Sequence, residues 1–290
     1  MQDLHYERPT TVAEAVRLAA AGGARVLAGG TDLIPQLREG RRTARVAIDL
    51  KHIPDLTRIE ATSDGGWRIG AAASVGQLGA HAEFARAHPG LLGSARLIGS
   101  LQIQNRATLG GNLCNAAPSG DAVPLMIALD ARAEIAGPDG SRSVAVAEVA
   151  TGPGRSSLTT AEIVTAILLP PSAPRSAARY LRFTPRREMD IAVAGAGVTL
   201  ALGADGRITN ARVVLASVGP TPVIASNAAA ALLGNAPSRA LFAAAGTKAA
   251  HEAKPISDTR GSAEYRRELV AVLTRRALEA CANDLGITLA

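Results

Sequence analysis

The chain has 290 residues, with 31 Lys and Arg against 25 Asp and Glu, a formal net charge of +6, 47% hydrophobic residues and 19% charged ones. That composition supplies a sizeable core for one large domain or two to three small ones, and it excludes disordered, collagen-like and disulfide-scaffold chains. One Trp, three Tyr and three Phe leave no aromatic platform for stacking nucleic-acid bases. The basic residues come as singles and pairs (Arg41-Arg42, Arg186-Arg187, Arg266-Arg267, Arg275-Arg276), which reads as a solvated surface and predicts no nucleic-acid partner.

Cys114 and Cys281 are too far apart for a zinc or iron–sulfur spacing, which needs three or four clustered thiolates, so no metal site is expected on this chain. Met1-Gln2-Asp3-Leu4 is not a basic-then-apolar leader and no apolar run is long enough for a bilayer. A cytoplasmic, reducing compartment and no membrane span are therefore expected.

Near the start, Thr11 and Glu14 have capping-box spacing, and Val12, Ala15, Val16 and Ala19 recur at helical spacing until Gly22-Gly23. A helix is predicted over 11–21. Arg25-Val26-Leu27-Ala28 and Arg45-Val46-Ala47-Ile48-Asp49-Leu50 read as two short buried strands joined by a crossover with a short helix, a small α/β unit. From Ile59 the pattern becomes α+β: short strands over 67–71, 131–136, 142–146 and 163–168, with helical stretches over 75–88 and 91–98. Pro138-Asp139-Gly140 is turn chemistry, and Pro170-Pro171-Ser172-Ala173-Pro174 is the clearest linker, because proline removes donors and favours extended backbone.

Beyond it, apolar runs over 191–202 and 208–218 flank Asp205-Gly206, a hairpin signal. Helices are predicted over 225–233, 239–250 and 263–285, the last capped by Ser262. The expected domains are 1–57, 58–173 and 174–290.

Two segments could carry chemistry. In Val26-Leu27-Ala28-Gly29-Gly30-Thr31-Asp32-Leu33-Ile34 a strand runs into two glycines, then a hydroxyl and an acid at a helix start. Glycines there let backbone N–H groups approach an anion such as a diphosphate, with the helix dipole adding to the attraction. The alternative is a tight turn with Thr31 or Asp32 as a helix cap. The second segment, Thr108-Leu109-Gly110-Gly111-Asn112-Leu113-Cys114-Asn115-Ala116-Ala117-Pro118-Ser119-Gly120-Asp121, reads as a small-residue loop that can lie flat against a large ligand, with Asp121 able to accept ribose hydroxyls. Its alternative is a turn with Asp121 capping the following helix. Neither is a Walker loop or a dinucleotide fingerprint, and Gly195-Ala196-Gly197 lacks the third glycine of the latter.

Together the two glycine-pair segments resemble those of the flavin-binding medium subunit of the xanthine dehydrogenase and carbon monoxide dehydrogenase family of molybdenum hydroxylases. Tyr6-Glu7-Arg8-Pro9-Thr10-Thr11-Val12 is similar to the family's opening. Arg186-Arg187-Glu188-Met189-Asp190-Ile191-Ala192 resembles the start of its C-terminal domain, and Asp258-Thr259-Arg260-Gly261-Ser262-Ala263-Glu264-Tyr265-Arg266-Arg267 its last helix. The resemblance implies an α+β chain: an FAD-binding fold of two α/β subdomains of the vanillyl-alcohol-oxidase type, then a domain with a small antiparallel sheet and a helical bundle.

By the same resemblance FAD lies between the first two subdomains, held by Leu27, Ala28, Gly29, Gly30, Thr31, Asp32 and Leu33 and by Thr108, Gly110, Gly111 and Asn112. Asp121 matches the acid that contacts the ribitol or ribose region, Ile98 packs beside the ring system, and Leu168 and Arg182 fall near the remaining contacts, Arg182 standing where Lys is frequent. It further implies a molybdopterin-binding large subunit and a small subunit with [2Fe-2S] clusters, arranged as a dimer of heterotrimers, with neither cofactor on this chain. No catalytic residue is expected: His5, His52, His81, His88 and His251 are scattered through different elements, and Cys114 reads as a small packing residue. The alternative is a freestanding FAD-dependent oxidoreductase.

Overall fold

Three short strands and two helices open the chain: β1 (His5–Glu7), α1 (Val12–Ala20), β2 (Ala24–Leu27), α2 (Leu33–Arg38) and β3 (Val46–Asp49). The strands are parallel in the order β1-β3-β2, the arrangement a crossover connection allows. Thr11 caps α1, its Oγ1 accepting from the Glu14 amide at 3.2 Å, while Glu14 reaches back to the Thr10 amide. The buried face of α1, Ala15, Val16 and Ala19, packs with Ile48 and Leu50. The structure is a computed structural model that describes residues 4–289. The first three residues of the Met1-Gln2-Asp3-Leu4 reading, and Ala290, lie outside the described residues.

The second unit runs through β4 (Ile59–Ala61), β5 (Trp67–Gly70), α3 (Val75–Ala80), α4 (Ala82–Ala87), α5 (Pro89–Ala95), α6 (Leu101–Gln104), α7 (Leu109–Asn115) and α8 (Val123–Ala128). It continues with β6 (Arg132–Gly137), β7 (Gly140–Ala145), β8 (Ala150–Gly152), β9 (Arg155–Ser156) and β10 (Ile163–Leu169). Five strands form an antiparallel sheet in the order β4-β5-β10-β6-β7, and β8 pairs with β9. The helical stretch expected over 75–88 is broken in two at His81, whose ψ of 95° leaves the helix and whose Nδ1 accepts from the Phe84 amide at 3.3 Å. Trp67 closes this core edge-on against Phe84, with ring centroids 5.3 Å apart.

The expected loop after Thr108 is a helix. Thr108 Oγ1 accepts from the Gly111 amide at 2.8 Å, a cap strong enough to start α7 across two consecutive glycines that helix propensity disfavours.

The last unit is β11 (Ser176–Phe183), β12 (Ala194–Leu202), β13 (Ile208–Ala216), β14 (Val223–Ile224), α9 (Ser226–Ala230), α10 (Arg239–Glu252) and α11 (Ala263–Asp284). Its sheet is antiparallel in strand order, and α10 and α11 bury Phe242, Leu273 and Leu278 against it. Ser262 caps α11 as expected. Arg266, expected at a solvated surface, is 4% exposed: it donates to the carbonyls of Val193 and Ser217 and to Asp258, because three chain segments converge there with unpaired acceptors. No helix among the described residues is long and apolar enough to cross a membrane.

Candidate functional site

A cleft with a volume of about 300 Å³ opens between the first two units. One wall is the turn from β2 into α2, the other the start of α7 with the end of the β9–β10 connection. Ala28, Gly29, Gly30, Thr31, Asp32 and Leu33 line the first wall, and Thr108, Gly110, Gly111 and Asn112 the second, with Ile98 beside them.

The glycines have distinct reasons. A Cβ on Gly29 would lie 2.1 Å from the Arg106 carbonyl oxygen, so the two walls touch here through bare backbone. Gly30 has φ +78°, a conformation other residues rarely adopt. A Cβ on Gly110 would lie 2.6 Å from the Ala71 carbonyl oxygen, which seats α7 against the end of β5. Gly111 is the least hindered of the four: its Cβ would meet no backbone, only the capping Thr108 Oγ1 at 3.0 Å, which must give slightly.

Helices α2 and α7 both begin at the cleft, so their free amides and partial positive charge face it. Among the described residues the amides of Gly30, Thr31 and Asp32 donate to no other backbone group, and Arg25 and Arg42 add full positive charge to the lining. Neither Thr31 nor Asp32 caps α2 through its side chain, so the cap alternative does not account for them. Ala71, Ala107, Leu158, Ile163 and Val164 supply apolar wall. An elongated ligand with a diphosphate and flat rings fits this donor set: bare amides and arginines for the anion, methyl-lined surface for the rings.

Sequence reasoning missed several lining residues. Ser156 at the end of β9 and Thr159, Thr160 and Glu162 of the β9–β10 connection reach the cleft, where no motif marks them. Glu162 is gripped by Arg142 through two hydrogen bonds of 2.6 and 3.0 Å, which hold its carboxyl down to about 2. Gln36 of α2 donates its amide to Asn115 Oδ1 of α7 at 3.1 Å, spanning the cleft.

That bond holds the two helices in register. Gln36→Ala and Asn115→Ala are expected to weaken FAD binding with a coupling of about 0.5–1.5 kcal/mol in a double-mutant cycle read by flavin titration. Additive losses would show that the two side chains act separately.

Four residues expected at the flavin do not line this cleft. Leu27 is buried behind it at the end of β2, and Leu168 lies at the far end of β10. Asp121 and Arg182 lie together instead: Arg182 Nη1 donates to Asp121 Oδ2 at 2.5 Å, with both side chains under 10% exposed. Asp121 does not cap α8, whose N-cap is Ala122 without a side-chain bond. Its segment is tied to the cleft through Asn112 Oδ1, which accepts from the Ala122 amide at 3.3 Å.

The profile described as FAD binding domain in molybdopterin dehydrogenase matches residues 2–172, and that of the CO dehydrogenase flavoprotein C-terminal domain matches residues 179–281. The chain belongs to this flavoprotein family. The medium chain of carbon monoxide dehydrogenase from Afipia carboxidovorans is 34% identical over 277 residues, covering 94% of this chain and 95% of that one. A xanthine dehydrogenase FAD-binding subunit from Escherichia coli O157:H7 is 32% identical over 284 residues, 97% of each. The structure of reconstituted CO dehydrogenase from Oligotropha carboxidovorans superposes with a TM-score of 0.92 at 32% identity, covering 97% of this chain and 98% of that chain. The expected fold and the FAD cofactor thus hold across the whole chain, and the flavoprotein is an oxidoreductase subunit.

Proposed function

We propose that this chain is the electron-transfer subunit of a heterotrimeric molybdenum hydroxylase. In this reading a small partner subunit with [2Fe-2S] clusters delivers electrons, having taken them from a molybdopterin-binding large subunit where the organic substrate is oxidised. Two such heterotrimers pair, and the assembly is cytoplasmic. FAD, when bound, supplies a group that takes up electrons singly or in pairs and passes them to an external acceptor. The observation that carries this reading is the match of both halves of the chain to medium subunits, joined to a cleft built from two glycine-bearing helix starts.

The residues would divide the work as follows. The backbone of residues 27–33 and 108–112 holds the diphosphate, led by the amides of Gly30, Thr31 and Asp32, and Ile98 packs against the rings. Leu168 and Asp121, outside the cleft lining, meet the parts of the flavin that extend beyond it, Asp121 accepting hydroxyls of the ribityl or ribose part. Arg182, ion-paired with Asp121, holds that carboxylate in place for the contact. The domains follow the division 1–57, 58–173 and 174–290, with the flavin between the first two.

Adding purified large and small subunits to the FAD-loaded chain tests the reading. The chain alone should leave an aldehyde or heterocyclic substrate untouched. With partners present, cluster and flavin absorbance should bleach together on substrate addition. Turnover by the chain alone, with stoichiometric flavin reduction, would replace this reading with the freestanding enzyme.

A further inference from the structure

Tyr180 sits on β11 with 6% exposure and donates its hydroxyl to Asp121 Oδ1 at 3.2 Å, while Arg182, two residues along the same strand, binds Oδ2. Residues two apart on a strand share one face, so β11 presents a hydroxyl and a guanidinium side by side to one carboxylate. We infer that Tyr180 is a positioning residue of the flavin site, acting through Asp121. The inference rests on the reading of Asp121 as a flavin contact. By it, the C-terminal unit completes a site whose cleft belongs to the first two.

Three observations carry this. The Tyr180 ring is buried with the core of the second unit, where phenylalanine would pack equally well. The hydroxyl therefore serves its one hydrogen bond among the described residues. Next, Gly195 is the second residue of β12, paired opposite Arg182, inside a strand where glycine is disfavoured. A Cβ there would lie 2.4 Å from the Tyr180 hydroxyl oxygen, so the glycine clears the space that the hydroxyl occupies. This gives a role to the Gly195-Ala196-Gly197 segment, which is no nucleotide loop. Lastly, Asp121 is one residue from the amide that Asn112 of α7 accepts, so fixing the carboxylate also fixes the cleft-lining helix.

The charged and titratable groups facing Asp121 are Tyr180 and Arg182, both from β11. Burial pushes the Asp121 carboxyl up to about 6, against the opposing pull of Arg182 and of the Tyr180 hydroxyl. An ionised carboxylate accepts a flavin hydroxyl more strongly than a protonated one. FAD affinity should therefore be level above the carboxyl's value in the free protein and fall as pH drops through it. Removing the Tyr180 hydroxyl raises that value, so the falling limb moves to higher pH.

The test is FAD titration of the full chain by flavin fluorescence from pH 5 to 9, for wild type and for Tyr180→Phe, Asp121→Asn and the double variant. The limb should lie near pH 6 in wild type and move up by about half a unit or more in Tyr180→Phe. It should vanish in Asp121→Asn, with no further change in the double variant. Gly195→Ala keeps the hydroxyl but displaces it, and should reproduce the shift independently.

Wild-type limbs in both Tyr180→Phe and Gly195→Ala, beside a pH-insensitive Asp121→Asn, would overturn the role of Tyr180 and leave Asp121 as a flavin contact. A wild-type pH profile in Asp121→Asn would instead overturn the reading of Asp121 itself, and the inference with it.

Discussion

Gly111→Val is expected to abolish FAD binding, a loss of more than about 100-fold in affinity, while the protein still folds with at most a small loss of stability at the Thr108 cap. The position separates binding from folding better than any other glycine of the cleft. Substitution at Gly29 or Gly110 drives a Cβ into backbone, and at Gly30 it imposes strain at φ +78°. Gly111 has helical backbone and faces only Thr108 Oγ1, and valine is no worse than glycine for helix propensity. Its branched side chain would stand where the diphosphate must approach the first turn of α7. Flavin content and a thermal unfolding curve, measured on one preparation, decide the matter. Wild-type flavin content in a correctly folded variant would remove α7 from the flavin site.

Asp121→Ala is expected to act twice. Loss of a charge-assisted hydrogen bond costs about 1.5–3 kcal/mol, so FAD should bind about 10- to 100-fold more weakly. The substitution also strands the buried Arg182 guanidinium, whose carboxylate partner lies across a unit boundary. Breaking a buried pair from one side costs about 3–5 kcal/mol of stability. Chemical denaturation with and without saturating FAD separates the two effects. If affinity is unchanged while stability falls, Asp121 is an inter-unit ion pair and nothing more.

How far the sequence alone carried depends on the range of the interaction that decides each feature. The Gly29-Gly30 and Gly110-Gly111 segments were legible because glycine, hydroxyl and acid fall within a few residues of one another. So were the Thr11 and Ser262 caps, whose bonds span three residues. Helix α7 reads as a loop in sequence because its glycines outweigh Thr108 in any local reckoning. The break at His81 depends on one imidazole accepting a backbone bond, which no periodicity reports.

Long-range contacts were harder still. Strand β11 follows a proline run and alternates poorly, since Arg179 and Arg182 face partners 105 and 61 residues away. Arg266 resembles any surface arginine until the carbonyls of Val193 and Ser217 converge on it. Ser156, Thr159 and Glu162 reach the cleft only because β10 threads the middle of its sheet between β5 and β6. Resemblance to a family pointed to the two glycine-pair segments that line the cleft. It did not show that Asp121 and Arg182 clamp one another away from the cleft wall.

The most direct measurement of the central claim is the flavin released when the purified full chain is loaded with FAD, desalted and precipitated with acid. The cleft offers amides, arginines and apolar wall as its holding groups, with the free Cys114 thiol also on its lining; a non-covalent site puts about one FAD per chain in the supernatant and none on the pellet. A chain that retains no flavin after desalting, or whose flavin stays with the precipitated protein, would contradict a non-covalent FAD site between its first two units.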